Sequence, residues 1–95
     1  MIRSFRNEAT RRLYEEQNAR PFRDLDVTFA INRMTFLDVA TSLADIPNLR
    51  SFGLHALTGK RRGQWAISIN RRWRICFEFR GGDAYNVEVV DYHRG

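Results

Sequence analysis

Cysteine is nearly absent from this chain: Cys76 stands alone among 95 residues. No internal disulfide can form, so a reducing compartment is expected. Two His and that one Cys lie far apart in the sequence and do not supply a metal-ligand set, so no metal is expected. No apolar run approaches the ~18 residues needed to cross a bilayer. Met1 is followed by no charged-then-apolar leader. These absences point to the cytoplasm and away from any membrane. Lysine is scarce as well. Fifteen of the sixteen basic residues are Arg, whose planar fork grips a phosphate through two hydrogen bonds where Lys offers a point charge.

Acidic residues run short in one half only. Residues 1–47 hold seven Arg against seven Asp and Glu, whereas residues 48–95 hold nine basic residues against four acids and carry the whole formal charge of +5. Between Arg50 and Arg80 eight cations face a single acid, Glu78. A charge excess confined to one half is the footprint of a polyanion partner, and nucleic acid is the commonest.

The apolar content, 43% hydrophobic and 13% aromatic, is ample for a folded core. The length allows one domain, residues 1–95, burying about 60–65% of its unfolded surface. Met1 to Phe5 reads as an edge strand. Asn7 caps a first helix reaching about Asn18, with Glu8 in its first turn. Asp24 reads as the cap of a second helix reaching about Ala44, in which Val27, Ala30, Ile31, Met34, Leu37 and Leu43 recur at helical spacing. From Gln64 the period becomes two. Trp65, Ile67 and Ile69 form one alternating run, then Trp73, Ile75, Phe77 and Phe79, then Tyr85, Val87 and Val89 after a turn at Arg80-Gly81-Gly82-Asp83. The fold class is α+β: a compact antiparallel sheet of four to five strands with two N-terminal helices on one face.

Parity then brings distant residues together. Apolar sets of paired strands must share a face, so Ile67 opposite Ile75 places Ser68 opposite Arg74. Phe77 opposite Val87 leaves a loop near 80–84 and places Arg74 opposite Val90. Arg74 and Tyr92 are then expected as diagonal neighbours on the uncovered face. Spacing alone does not locate His55 relative to them. Trp65 and Trp73 fall on the apolar parity and belong to the core; Cys76 is expected to be inert.

Leu54-His55-x-Leu57-x-Gly59, Arg61-x-Gly63-x-Trp65-x-Ile67, Trp73-Arg74-Ile75-x-Phe77, Gly82-Asp83-Ala84-Tyr85 and Asp91-Tyr92-His93 together resemble the HigB-type toxins of the RelE superfamily. The opening Ile2-Arg3-Ser4-Phe5-Arg6 is similar too, so the resemblance spans nearly the whole chain. It implies the RelE-like fold and the toxin of a bacterial type II toxin–antitoxin pair. Such toxins cut mRNA in the ribosomal A site, where the RNA's own 2′-hydroxyl attacks the adjacent phosphate without metal or cofactor. Its implied partners are the ribosome, mRNA and a cognate antitoxin, a small helix-turn-helix protein through which any operator DNA would be bound. It also implies that His55, Arg74, Tyr92 and His93 serve the active site. One departure stands out: Thr58 occupies a position that often holds Lys in the family. A cation missing there either weakens catalysis or is replaced by Lys60 or Arg61; the sequence leaves both open.

The residue types suit that chemistry. A guanidinium stays protonated, so Arg74 is no base and instead suits the charged phosphorane. An imidazole exchanges protons near neutrality, which fits His55 as base or acid and makes His93 a second candidate. Tyr92 can stack on a base, hold the 2′-hydroxyl or trade a proton. Lys60, Arg61, Arg62, Arg71 and Arg72 would hold phosphates without reading sequence. The alternative is a non-catalytic RNA- or ribosome-binding module that blocks translation by occupancy. A third, weaker reading is direct DNA binding through the basic face, although nothing reads as a helix-turn-helix and neither helix is notably basic on one side.

Overall fold

Two capped helices and four antiparallel strands make up the computed structural model, which describes residues 1–91. Helix α1, Glu8–Glu16, begins where the Asn7 side chain accepts a hydrogen bond from the Thr10 amide, and ends at Gln17 in the left-handed conformation. Helix α2, Val27–Val39, begins two residues later than expected. Asp26, not Asp24, accepts from the Phe29 amide at 3.0 Å. Asp24 has φ of 58°, a left-handed turn that carries the chain into the cap. The helix also stops short of Ala44. Ala40 is extended, and the Asp45 carboxylate accepts from the Thr41 amide at 2.8 Å and the Ser42 amide at 3.3 Å. Leu43 therefore belongs to a separate 3₁₀ turn, Leu43–Asp45.

Strands β1 (His55–Ala56), β2 (Trp65–Ser68), β3 (Trp73–Arg80) and β4 (Asp83–Asp91) follow one another across the sheet in chain order. Ile67 opposes Ile75, Ser68 opposes Arg74 and Arg74 opposes Val90, as parity requires. One stretch departs from the expected register. Cys76 opposes Glu88 but Glu78 opposes Tyr85, so β4 carries one extra residue there. Asn86, at φ 52°, absorbs the bulge. The extra residue sends Ala84 into the core and leaves Tyr85 half-buried, its ring 3.8 Å from the Arg80 guanidinium. It also shortens the hairpin to Gly81-Gly82, with Arg80 opposite Asp83. Both glycines have positive φ, as a tight two-residue hairpin demands.

The first residues do form an edge, but a parallel one. Ile2 bridges Ala84 and Phe5 bridges Val87 beside β4, and the Ser4 hydroxyl accepts from the bulge amide of Asn86 at 2.8 Å. Leu13, Ala30, Met34 and Leu37 from the helices meet Ile67, Ile75, Phe77 and Val87 from the sheet in one fully buried cluster. Trp73 joins that core, its indole N–H donating to the Arg23 carbonyl at 2.9 Å, while Trp65 packs against the margin half-buried. The helices thus cover one sheet face. Arg74 alternates with Ile75 and points to the other.

Candidate active site

Opposed residues in a sheet share a face. His55 opposes Ala66, Ala66 opposes Cys76 and Cys76 opposes Glu88, so these four form a row across all four strands. Arg74 stands one side chain further along β3 on that same face. The register therefore answers what spacing left open: His55 and Arg74 share the surface that the helices leave bare. Roughly 10 Å of sheet, two strand spacings, lies between their strands.

The His55 ring is exposed, and its Nδ1 lies 2.8 Å from the Gly53 carbonyl oxygen. A carbonyl only accepts, so Nδ1 carries the proton and a neutral ring keeps its lone pair on Nε2. That is the tautomer needed to take a proton from substrate through the outward nitrogen.

Beside Arg74 opens a cavity of about 530 Å³. Four cations line it, Arg6, Lys60, Arg61 and Arg74, with Thr58, Gln64 and Leu57 between them. A 3₁₀ turn, Gly59–Arg61, follows Thr58 and delivers Lys60 and Arg61 to the rim. Arg61 Nη1 donates to Gln64 Oε1 at 3.0 Å and to Glu88 Oε1 at 3.3 Å, and Arg6 Nε lies 3.8 Å from that same Glu88 oxygen. The structure thus sets Lys60, Arg61 and Arg74 together. It leaves Arg62 and Arg71 exposed away from the cavity wall. Arg72 is held by Asp91 at 3.1 Å and Asp24 at 3.5 Å. Tyr92 and His93 lie outside the described residues.

Two residues at this site escaped the reading of the sequence. Glu88 falls on the polar parity of β4 between Val87 and Val89, a signal that was available. Arg6 carried none, because only the parallel pairing of the first residues beside β4 brings it here.

A family model, the RelE-like toxin of the type II toxin–antitoxin system HigB, matches residues 3–93. The chain belongs to this family. Endoribonuclease HigB of Proteus vulgaris is 36% identical over 93 residues, which span 98% of this chain and 100% of that one. The crystal structure of a YafQ mutant from E. coli matches with a TM-score of 0.65 at 11% identity, over 99% of this chain and 97% of that one. That likeness establishes a shared fold.

Within this HigB-family fold Cys76 forms the floor of the bare face, fully buried. Burial pushes its thiol up from the ordinary range, and the charges of Arg61 and Arg74 only partly oppose that. A protonated, enclosed thiol is a poor nucleophile. Iodoacetamide at neutral pH should leave Cys76 unmodified in the folded protein and alkylate it fully in denaturant, as read by intact mass. Rapid native labelling would show that the floor opens.

Proposed function

We propose that this type II toxin is a ribosome-dependent mRNA endoribonuclease, and that its bare sheet face is the cleavage site. The observation that carries the reading is the joining of Arg74, Arg61 and Lys60 around one cavity on the face that also bears His55, in a chain of the HigB family. His55 Nε2 accepts the 2′-hydroxyl proton as the 2′-oxygen bonds to phosphorus. Arg74 meets the equatorial oxygens of the phosphorane with two parallel donors. The bond to the 5′-oxygen then breaks, leaving a 2′,3′-cyclic phosphate and a 5′-hydroxyl, whose proton comes from Tyr92 or His93. No metal or cofactor takes part. Lys60, Arg62 and Arg71 hold neighbouring phosphates of message or ribosome, and Arg72 adds charge at the rim where its carboxylate partners leave it accessible.

A toxin of this kind has an antitoxin partner. We assign that role to a small helix-turn-helix protein through which operator DNA is bound, in the cytoplasm. The deciding experiment incubates purified protein with mRNA, naked and on programmed ribosomes, and maps the ends. New 3′ ends should appear on the ribosome and barely at all without it. Translation arrest without new ends would make the protein a blocker that acts by occupancy.

A further inference from the structure

The charge arrangement around Glu88 is unexpected for a surface that takes RNA. An acid placed among cations repels phosphate, and plain electrostatics would remove it. Yet the Glu88 side chain is only 18% exposed and lies against Arg61, itself 24% exposed, with Arg6 beside it. Glu88 is not part of the cavity wall, whereas Arg61 and Arg6 are. It stands behind them on β4, in the row that runs from His55 across the sheet.

We infer that Glu88 is a positioning residue that holds the Arg61 guanidinium, and secondarily Arg6, as a second phosphate clamp in the cavity that Arg74 also lines. The inference rests on the cleavage reading above and adds the part of the machinery that aims it. Arg61 comes from a three-residue 3₁₀ turn, where a long side chain has many rotamers. Among the described residues its guanidinium donates through Nη1, to Gln64 and to Glu88, and a guanidinium has five N–H donors in a rigid fork. Tying one corner to a strand leaves the remaining donors a fixed direction. The ligand class is an RNA phosphodiester. The cavity brings four cations to it, more than one phosphate's single charge requires, so the clamp engages a phosphate next to the one that Arg74 stabilises. On this view Arg61 supplies from the turn the cation that Thr58 does not.

Electrostatics and positioning predict opposite signs, which makes the test sharp. Wild type, Glu88→Gln, Arg61→Ala and the double variant are compared in single-turnover mRNA cleavage on programmed ribosomes and in binding a fluorescent single-stranded RNA. Glu88→Gln removes a negative charge, so RNA binding should hold or tighten. Cleavage should nevertheless slow about 10- to 100-fold, the cost of a misdirected clamp. In the Arg61→Ala background the same replacement should change the rate less than about threefold, because the two residues act as one unit. Losses that multiply in the double variant, or a Glu88→Gln enzyme that cleaves at the wild-type rate, would overturn the inference alone. A Glu88→Gln protein that fails to fold would do the same, since the carboxylate would then be holding the sheet together. A wild type that cuts nothing on the ribosome would sink the cleavage reading itself.

Discussion

Arg74→Ala should lower the single-turnover rate of mRNA cleavage on the ribosome about 10²–10³-fold, equivalent to ~2.7–4 kcal/mol of barrier. The size follows from where Arg74 stands. It comes from β3, an inner strand paired on both sides, with Ser68 opposite on one side and Val90 on the other. Its base is therefore held by two ladders, and its head opens into the cavity beside Arg61. A donor fixed before the reaction stabilises developing charge without having to reorganise, and alanine removes it outright. Arg74→Lys should recover only part of the rate, because an ammonium cannot place two parallel donors on two equatorial oxygens. Rapid-mixing cleavage assays with matched antitoxin binding as the fold control would check both variants. An alanine variant within threefold of wild type would remove Arg74 from the chemistry.

Phe77→Ala should cost about 3–5 kcal/mol of folding stability. Phe77 is fully buried and, among the described residues, the largest of the fully enclosed side chains, with Phe79 edge-on to its ring at 6.5 Å. It sits between Cys76 and Glu78, where β4 bulges, so the surrounding backbone is already irregular and a cavity there will not close cleanly. A domain of this size commonly holds ~5–15 kcal/mol in total. The loss would thus consume a large share and lower the midpoint of thermal unfolding by more than about 12 °C. Calorimetry on the purified toxin measures it. A shift of only a degree or two would mean that the ring is not packed as the structure places it.

Particular residues show why some of this was readable from the chain and some was not. The alternation of Trp65, Ile67 and Ile69 with that of Trp73, Ile75 and Phe77 was enough to pair Ile67 with Ile75 and to turn Arg74 outward. A strand has only two faces, and the wrong one would put several apolar side chains in water. The end of β4 obeyed the same rule, yet Tyr85 did not. Asn86 tolerates positive φ, and one extra residue there reversed the parity for everything between it and the turn. Nothing in the local alternation marks such a step, because Tyr is at home on either face of a half-covered sheet.

The caps tell a similar story. Asp24 and Asp26 are chemically the same candidate two residues apart. Asp26 prevails because the chain before it is tied down elsewhere, the Arg23 carbonyl accepting from the Trp73 indole. Helix α2 buries a further surprise. Arg33 is 5% exposed, with its guanidinium 3.6 Å from the Phe52 ring, and its loss of water lowers its affinity for the proton. A charge at helical spacing beside Met34 gave no sign of that, since its cover comes from a loop eighteen or nineteen positions away.

Short-range periodicity and residue chemistry thus determined by themselves the α+β class, the outward face of Arg74 and the cationic half of the chain; the toxin family came from the resemblance of its motifs. Only tertiary packing decided that His55 shares a row with Glu88, that Arg6 arrives beside Arg61, and that an acid stands behind the cations lining the cavity. The division has one physical cause. Periods of 2 and 3.6 are written into neighbouring residues, whereas a row across a sheet joins residues whose only common property is the register that the whole fold selects.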